Sequence, residues 1–422
     1  MNETPASSTP GLDGVRLARA ALTRLMEPSD LPGMALIAAA GPEDALAFVR
    51  SGAASSAVLE QEMTAILAEH GTGRWAGLAE ALGRWRPRLA DLAPERDLAT
   101  VARFGGGLLI PEDPQWPTAL ADLQLAAPMA LWMRGRVRRI PEQNRCIAVV
   151  GSRDSTSYGA NVTAEIAGAL VQRGFTVVSG GAYGIDAHAH RGALGAARQA
   201  EPWPTRTSGA VVAQPPTLAI MAGGVDRFYP SGNDDLLHAI ADQGTVVAEV
   251  PPGTNPTRYR FLQRNRLIAA LCEVTVVVEA RWRSGALNTA HHAEGLSRSV
   301  GAVPGSVYSA NSAGCHRLLR EGAAVCVTDA ADIAELAGVS GVNLAVEQEG
   351  PRALHDGLGV EDLLLLDALP LHSATSVDKL QVVAGLGAAT VLAGLGRLEL
   401  LGLAQRLNNG WRRSPSPQTT AC

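Results

Sequence analysis

Two turns, Gly151-Ser152-Arg153 and Ser179-Gly180-Gly181-Ala182-Tyr183-Gly184, combine small residues and hydroxyls with a cation or a phenol. Each follows a short apolar run, CIAVV (146–150) or FTVVS (175–179), and each opens a helical pattern. The first N–H groups of a helix lack intrahelical acceptors and carry partial positive charge, so an anion such as phosphate is favoured there. On adjacent parallel strands, both turns aim at one crevice at the carboxyl edge of the sheet. A third segment, PPGTNPTRYRFLQRNRLIA, follows a strand ending near Val250 and brings Arg258, Arg260, Phe261, Arg264, Asn265 and Arg266. Arginines with an interleaved aromatic make a phosphate clamp beside a base-stacking platform. EARWRSGALNTA then sets Ser284-Gly285 at another helix start, and AVPG (302–305) closes the set. A single glycine-rich turn serves a tight strand–helix connection equally well. Four of them on one edge, with hydroxyls and arginines, point to an anion site.

Other chemistries fit less well. GGAYG lacks the GxGxxG spacing, and no convincing acidic residue follows at dinucleotide distance. There is no GxxxxGK[ST], which excludes a P-loop. His188 and His190 are two apart on a helix and point to different faces, so they are no zinc pair; His291-His292 fails likewise. Asp186 suits a general base, but a carboxylate in a first helical turn also serves simply as a cap. Asp226 and Glu279 follow strands, where they can order arginines. Neither cofactor nor metal is expected.

The elements that position these residues follow from periodicity. Strands are expected at 146–150, 175–179, 217–222, 245–250, 274–279, 300–304 and 324–328. Helices are expected between them, at 159–173, 185–196, 234–243, 261–271 and 286–298. This alternation predicts a mainly parallel sheet with helices on both faces. Arg198 to Pro216 interrupts it and reads as an inserted loop; its arginines extend a nucleic-acid track only on a second reading. Residues 103–135 read as a connector into the sheet, packed down by Trp116 and Trp132. Residues 1–102 read as a helical domain behind a disordered tail, with LIAAAGPEDAL loosely like a helix–hairpin–helix. The expected divisions are then 103–340 for the Rossmann-like domain, 341–359 for a linker, 360–413 for a winged helix and 414–422 for a disordered end. In the winged helix the Asn-Gly pair supplies the hairpin turn. Its third helix is apolar, with Arg397 as its one cation, so a protein-binding role is as plausible there as a DNA groove.

Composition bounds the class. Hydrophobic residues make up 46% and charged ones 18% of 422 residues, which is globular. The net charge of -5 requires any nucleic-acid surface to be local. Lys379 is the one lysine among 36 basic side chains. The five cysteines lack metal spacing. Cys146, Cys272 and Cys326 sit in or beside apolar runs and read as buried thiols of a reducing cytosol. The N-terminus does not resemble a signal peptide, and no apolar run is long enough to span a bilayer, so a cytoplasmic location is expected.

In order along the chain, GSR…S.YG, SGGAYGIDAHAHRGAL, AGGVDRFYP, EVPPG…P…FLQRNRLIA, VVVEA…SGALNTA and AVPG resemble the DNA-processing protein A family (DprA, or Smf), bacterial mediators of recombination. The likeness covers about Phe104 to Leu336. It implies an α/β fold of extended Rossmann-like type, with a helical N-terminal domain and a small C-terminal winged helix. It implies a non-enzymatic, dimeric binder of single-stranded DNA that loads RecA in transformation or recombination, with single-strand-binding protein as a further partner. By motif, the DNA site comprises Gly151, Ser152, Arg153, Ser179, Gly180, Gly181, Tyr183, Gly184, Arg258, Phe261, Arg264, Asn265, Arg266, Ser284 and Gly285. Many members carry arginine where this chain has Tyr183, so one phosphate-binding cation is missing. Two other readings remain open: a Rossmann enzyme that cleaves nucleoside monophosphates, whose PGGxGTxxE-like motif is not visible, and a module that binds duplex DNA or protein.

Overall fold

The computed structural model describes residues 12–53, 56–71, 75–199, 206–207, 210–211, 214–338, 357–408 and 410–414. The chain divides into two compact units, Met1–Ala345 and Val346–Cys422.

The first unit begins with six helices: α1 (Leu12–Leu25), α2 (Leu31–Ala40), α3 (Pro42–Ser51), α4 (Ala57–Glu69), α5 (Leu78–Trp85) and α6 (Pro94–Arg103). Leu22, Leu25, Leu36, Met63, Leu78 and Trp85 bury one core between them. Short-range signals shape the turns. Asp30 Oδ1 accepts from Gly33 N at the start of α2, and Gly41 turns between α2 and α3 at φ 79°. Glu43 and Asp44 fill the first turn of α3, where a DNA phosphate would be repelled, so the helix–hairpin–helix likeness does not extend to its chemistry.

The strands are β1 (Gly107–Leu109), β2 (Leu131–Gly135), β3 (Cys146–Val150), β4 (Thr176–Gly180), β5 (Arg206–Thr207), β6 (Ala210–Val211), β7 (Thr217–Met221), β8 (Thr245–Ala248), β9 (Val274–Val277), β10 (Ser299–Ala302) and β11 (Val325–Cys326). β5 and β6 form their own small hairpin inside the 198–216 segment, much of which lies outside the described residues. The other strands form one sheet in the order β1-β2-β8-β7-β4-β3-β9-β10-β11. From β8 to β11 all pairs are parallel. β1 and β2 add antiparallel pairs at one edge, so residues 103–135 are more than a connector. Alternation over LWMRG lets Trp132 bury completely, with Nε1 donating to Thr23 Oγ1 at 3.3 Å, while Met133 pairs with β8. Trp116 packs partly buried against the main core.

β3 explains the layers. Cys146, Ala148 and Val150 face one core with Ile268 and Leu287, while Ile147 and Val149 face another with Ile166 and Ile185. A strand buried on both faces needs a continuous apolar run, and CIAVV supplies one. The helices after the strands are α7 (Ser157–Gln172), α8 (Ile185–Gln199), α9 (Asp234–Gln243), α10 (Arg258–Leu271), α11 (Gly285–Gly295), α12 (Ala313–Arg320) and α13 (Ala330–Ala337). Cys326, expected to be buried, is exposed, because β11 is a two-residue edge strand with one open side; Cys146, Cys272 and Cys315 are buried free thiols.

The second unit contains α14 (Val360–Ala368), α15 (Val377–Ala384) and α16 (Ala388–Leu400), then the hairpin β12 (Ala404–Leu407) and β13 (Gly410–Arg413), the arrangement of a winged helix. Leu365, Leu380, Val391, Leu395 and Leu398 form its core. Arg397, the one cation of α16, is held in a two-toothed pair with Asp362 at 2.7 and 2.8 Å and is not free for phosphate. Among the described residues no single helix is long and apolar enough to cross a membrane. The expected linker falls mostly, and both expected terminal tails almost entirely, outside the described residues.

Candidate nucleic-acid interface

The order of the sheet reverses at β3. The chain lays β4, β7 and β8 on one side of it, then returns to place β9, β10 and β11 on the other. At such a reversal the following loops diverge and leave a crevice beyond the carboxyl ends. A cavity of about 340 Å³ lies there, between the loops after β3 and β9 and the first turns of α10 and α11. Gly151, Ser152, Arg153, Phe261, Arg264, Asn265, Ser284 and Gly285 line it, so eight of the residues expected from sequence converge. The loops are pinned to each other. Ser152 N donates to Glu279 O at 2.7 Å, and Ile185 N donates to Ser152 O at 3.1 Å. Gly184, at φ 75°, lies so close to Ser152 O and Arg153 that any side chain would collide, so this glycine sets the approach of the two turns.

Arg264 is the central feature. It is 7% exposed, donates Nη1 to Ile220 O, forms no ion pair among the described residues and leaves Nε without a partner. A Cβ on Gly180 would overlap its guanidinium, which explains a glycine at the end of β4. Burial lowers the Arg264 pKa, opposed by the charge of Asp186. Burial raises the Asp186 pKa, opposed by Arg264, the Ala182 backbone and Arg153. A buried cation without a paired carboxylate is costly unless something anionic completes it. Arg153 is exposed and stacks over the Phe261 ring, 4.9 Å from its centroid, and Tyr229 lies 6.0 Å from that ring. Asn265 Nδ2 donates to Asn288 Oδ1 at 3.2 Å, which fixes its amide at the wall. Thr257 caps α10 by accepting from Arg260 N at 3.2 Å, and Ser284 caps α11 by accepting from Ala286 N.

Some sequence expectations move. Arg266 is 3% exposed and paired with Glu249 through two contacts, 2.6 and 2.8 Å, with Nε on Ala126 O. It faces away from the crevice because two positions along α10, about 200°, put it on the opposite side from Arg264. Ser179 is fully buried, its hydroxyl donating to Val149 O at 2.6 Å. Gly180, Gly181 and Gly184 shape the turn without lining the cavity. Tyr183 is half-exposed and also outside the lining; its hydroxyl accepts from Gly232 N at 3.2 Å. Arg258 is exposed at the start of α10 and does not line the cavity, while Arg260 is committed to Glu27, two contacts of 2.9 Å, which tie α10 to the N-terminal helices. The first turn of α7 is not open to phosphate either. Glu279 already accepts from Thr156 N at 2.9 Å and Thr156 Oγ1 at 2.6 Å.

Sequence reasoning passed over Arg281 and Arg283, which line the cavity in front of Ser284. Arg281 pairs with Asp154 at 2.6 Å and with Asn311 at 2.7 Å, whereas Arg283 is exposed and forms no ion pair among the described residues. Their signal was the alternation in Arg281-Trp282-Arg283 directly after a strand. The cavity thus gathers Arg153, Arg264, Arg281 and Arg283 against Asp154 and Asp186, a local positive surplus in an acidic protein. It suits a phosphodiester flanked by a flat apolar surface.

A family described as DNA recombination-mediator protein A matches residues 107–338. The chain belongs to this family. It is 40% identical over 411 residues, 95% of each chain, to the putative DNA processing protein DprA of Mycobacterium tuberculosis. It is 35% identical over 221 residues, 52% of this chain and 71% of the other, to the DNA processing protein DprA of Streptococcus pneumoniae. The X-ray structure of that streptococcal protein superposes with a TM-score of 0.53 at 26% identity, covering 76% of this chain and 96% of the other. The α/β architecture expected from the sequence is therefore that of a recombination-mediator A protein.

Proposed function

We propose that this recombination-mediator A protein binds single-stranded DNA in the crevice at the carboxyl edge and is not an enzyme. Arg264, Arg153 and Arg283 take backbone phosphates, and Phe261 with Tyr229 offers bases a sequence-tolerant stacking surface. The observation that carries this reading is Arg264, a residue of the cavity lining whose buried guanidinium has no ion-pair partner among the described residues and whose buried Nε has no hydrogen-bond partner. Ser152, Ser284 and Gly285 provide small-residue walls, and Gly285, with open space where a Cβ would be, lets a phosphate approach the backbone; Gly151 lines the cavity but makes room for Ile185 and Glu279 O. Arg258, exposed at the start of α10, contributes long-range attraction. In keeping with its family, the protein delivers the captured strand to RecA in transformation or recombination, displaces single-strand-binding protein, and does so as a homodimer in the cytoplasm.

Anisotropy titration of labelled oligothymidylate tests the site. Arg153→Ala with Arg283→Ala is expected to weaken binding at least tenfold and to lower the slope of log K against log salt by about 1.4, two single-strand phosphate contacts. Parent-like affinity and slope refute the crevice. RecA filament assembly on strands coated with single-strand-binding protein tests the delivery step: the same pair of substitutions should remove any acceleration. Release of ribose phosphate from nucleoside monophosphates would instead favour a hydrolase.

A further inference from the structure

The opposite edge of the sheet carries a second collection of arginines. β2 runs antiparallel to β8, so its end at Gly135 lies beside Thr245, the start of β8. The chain after it, RVRR, stays at this amino edge: Arg136 N donates to Ala241 O at 2.9 Å, and Thr245 Oγ1 donates to Arg139 O at 3.3 Å. Arg136, Arg138 and Arg139 form no ion pairs among the described residues, and Arg136 and Arg138 are exposed, Arg139 partly so. Arg198, at the end of α8, reaches the same place and donates to Gln243 Oε1 at 3.4 Å. Beside them lies an open cavity of about 500 Å³ lined by Phe104, Arg134, Arg136 and Arg138, with Asp242 as its carboxylate. Arg134 is clamped between two rings, 4.6 Å from the Phe104 centroid and 4.7 Å from that of Phe228, and Phe104 remains 45% exposed.

We infer that this amino-edge cavity is a second binding site for a single-stranded nucleic-acid backbone, separate from the crevice, with Arg136 and Arg138 on phosphates and Phe104 stacking a base. Free arginines beside an exposed aromatic match what single strands require: charge along the backbone and a π-face for bases. The arginine sandwiched under Phe104 holds the ring rigid and adds cation–π attraction. An acidic protein segment would use the charges but not the exposed ring. The two sites are separated by the length of the strands, roughly 15 Å for five residues, and by the three strand spacings from β8 to β3, roughly 14 Å more across the sheet. A strand long enough to reach both gains from the second contact being intramolecular. The nature of the ligand rests on the proposed function, but the site does not depend on the crevice.

The test uses the full chain, a long labelled oligothymidylate, anisotropy across a salt series, and amide hydrogen exchange. Arg136→Gln with Arg138→Asn keeps the fold; asparagine tolerates the left-handed backbone of Arg138, φ 43°. This variant should lower the salt slope by about 1.4, and Phe104→Ala should weaken binding about tenfold, the value of one stacked base. In the parent, DNA should slow exchange over residues 134–140, and the crevice variant Arg153→Ala with Arg283→Ala should keep that protection. An unchanged slope with no protection at 134–140 overturns the inference and leaves the crevice standing. Protection at 134–140 that disappears in the crevice variant also overturns it, as a secondary effect of crevice binding. Protection and slope loss at this edge, alongside parent-like binding in the crevice variant, supports it while sinking the crevice.

Discussion

Replacing Arg264 by methionine separates a binding residue from a structural one. The side chain is 93% buried by its 7% exposure, donates once, to Ile220 O, and leaves Nε unpaired. Burying an ion without a partner costs several kcal/mol, and one hydrogen bond from a charged donor returns about 1.5–3 kcal/mol. Asp186 returns a further part through its charge, itself weakened because burial raises its pKa. Methionine fills a similar length with no charge to desolvate. Arg264→Met is therefore expected to fold with stability equal to the parent or up to about 3 kcal/mol higher, read by urea unfolding. Binding should move the other way. Losing a buried charge-assisted contact costs about 2–5 kcal/mol, roughly 30-fold or more in Kd, and about 0.7 in salt slope. Oligothymidylate at a hundredfold excess over the parent Kd should stabilise the parent by about 2.7 kcal/mol and the variant by far less. A variant that loses more than about 3 kcal/mol of stability, yet binds DNA like the parent once folded, would refute the assignment and make Arg264 a structural clamp.

Other perturbations follow from the same geometry. Tyr183→Arg, beside the crevice, should add one phosphate contact and steepen the salt slope by about 0.7; an unchanged slope means the position faces away from the strand. Glu279→Ala strips two hydrogen bonds from Thr156 at the start of α7 and should destabilise the fold by about 1–3 kcal/mol in thermal or urea unfolding. His190 is fully buried between Gly180 O and Thr217 Oγ1, and burial lowers its pKa from 6.5 to about 4. The unfolded chain takes up the proton first, so this contribution is complete above pH 6.5 and is lost as pH falls towards 4, about 3 kcal/mol in all. His190→Gln should remove that part of the acid sensitivity, measured as parent minus variant across the window; identical slopes would show that the histidine titrates normally.

The sheet was legible because doubly buried strands demand uninterrupted apolar runs, and CIAVV, FTVVS and VTVVV offered little else. The antiparallel edge was not, because GLL and LWMRG are short and embedded among prolines, and only the pairing of LWMRG with β8, and of GLL with LWMRG, makes them strands. Within the site, glycine-rich turns were readable by type, but the sequence could not assign the direction of each arginine on α10. Arg264 and Arg266 are two positions apart, about 200° around a helix, so they must face opposite sides. One meets the crevice unpaired; the other meets Glu249. Partners that are far apart in sequence, such as Glu27 for Arg260 and Glu279 for Thr156, decide which charges and which helix ends remain available.

That distinction bears on how the site works. In this chain, helix N-termini do less than their motifs promise: α7 is capped by Thr156 and Glu279, and Asp186 occupies the first turn of α8. What is left over is guanidinium. Arg264 is held in place by Ile220 O and by the absence of a side chain on Gly180, and Arg153 is held by the face of Phe261. Both are ordered before a ligand arrives, so a strand entering the crevice does not have to immobilise long side chains. Preorganisation of this kind raises affinity without adding contacts, which is what the proposed nucleic-acid site, with only a few arginines in a protein of net charge -5, requires.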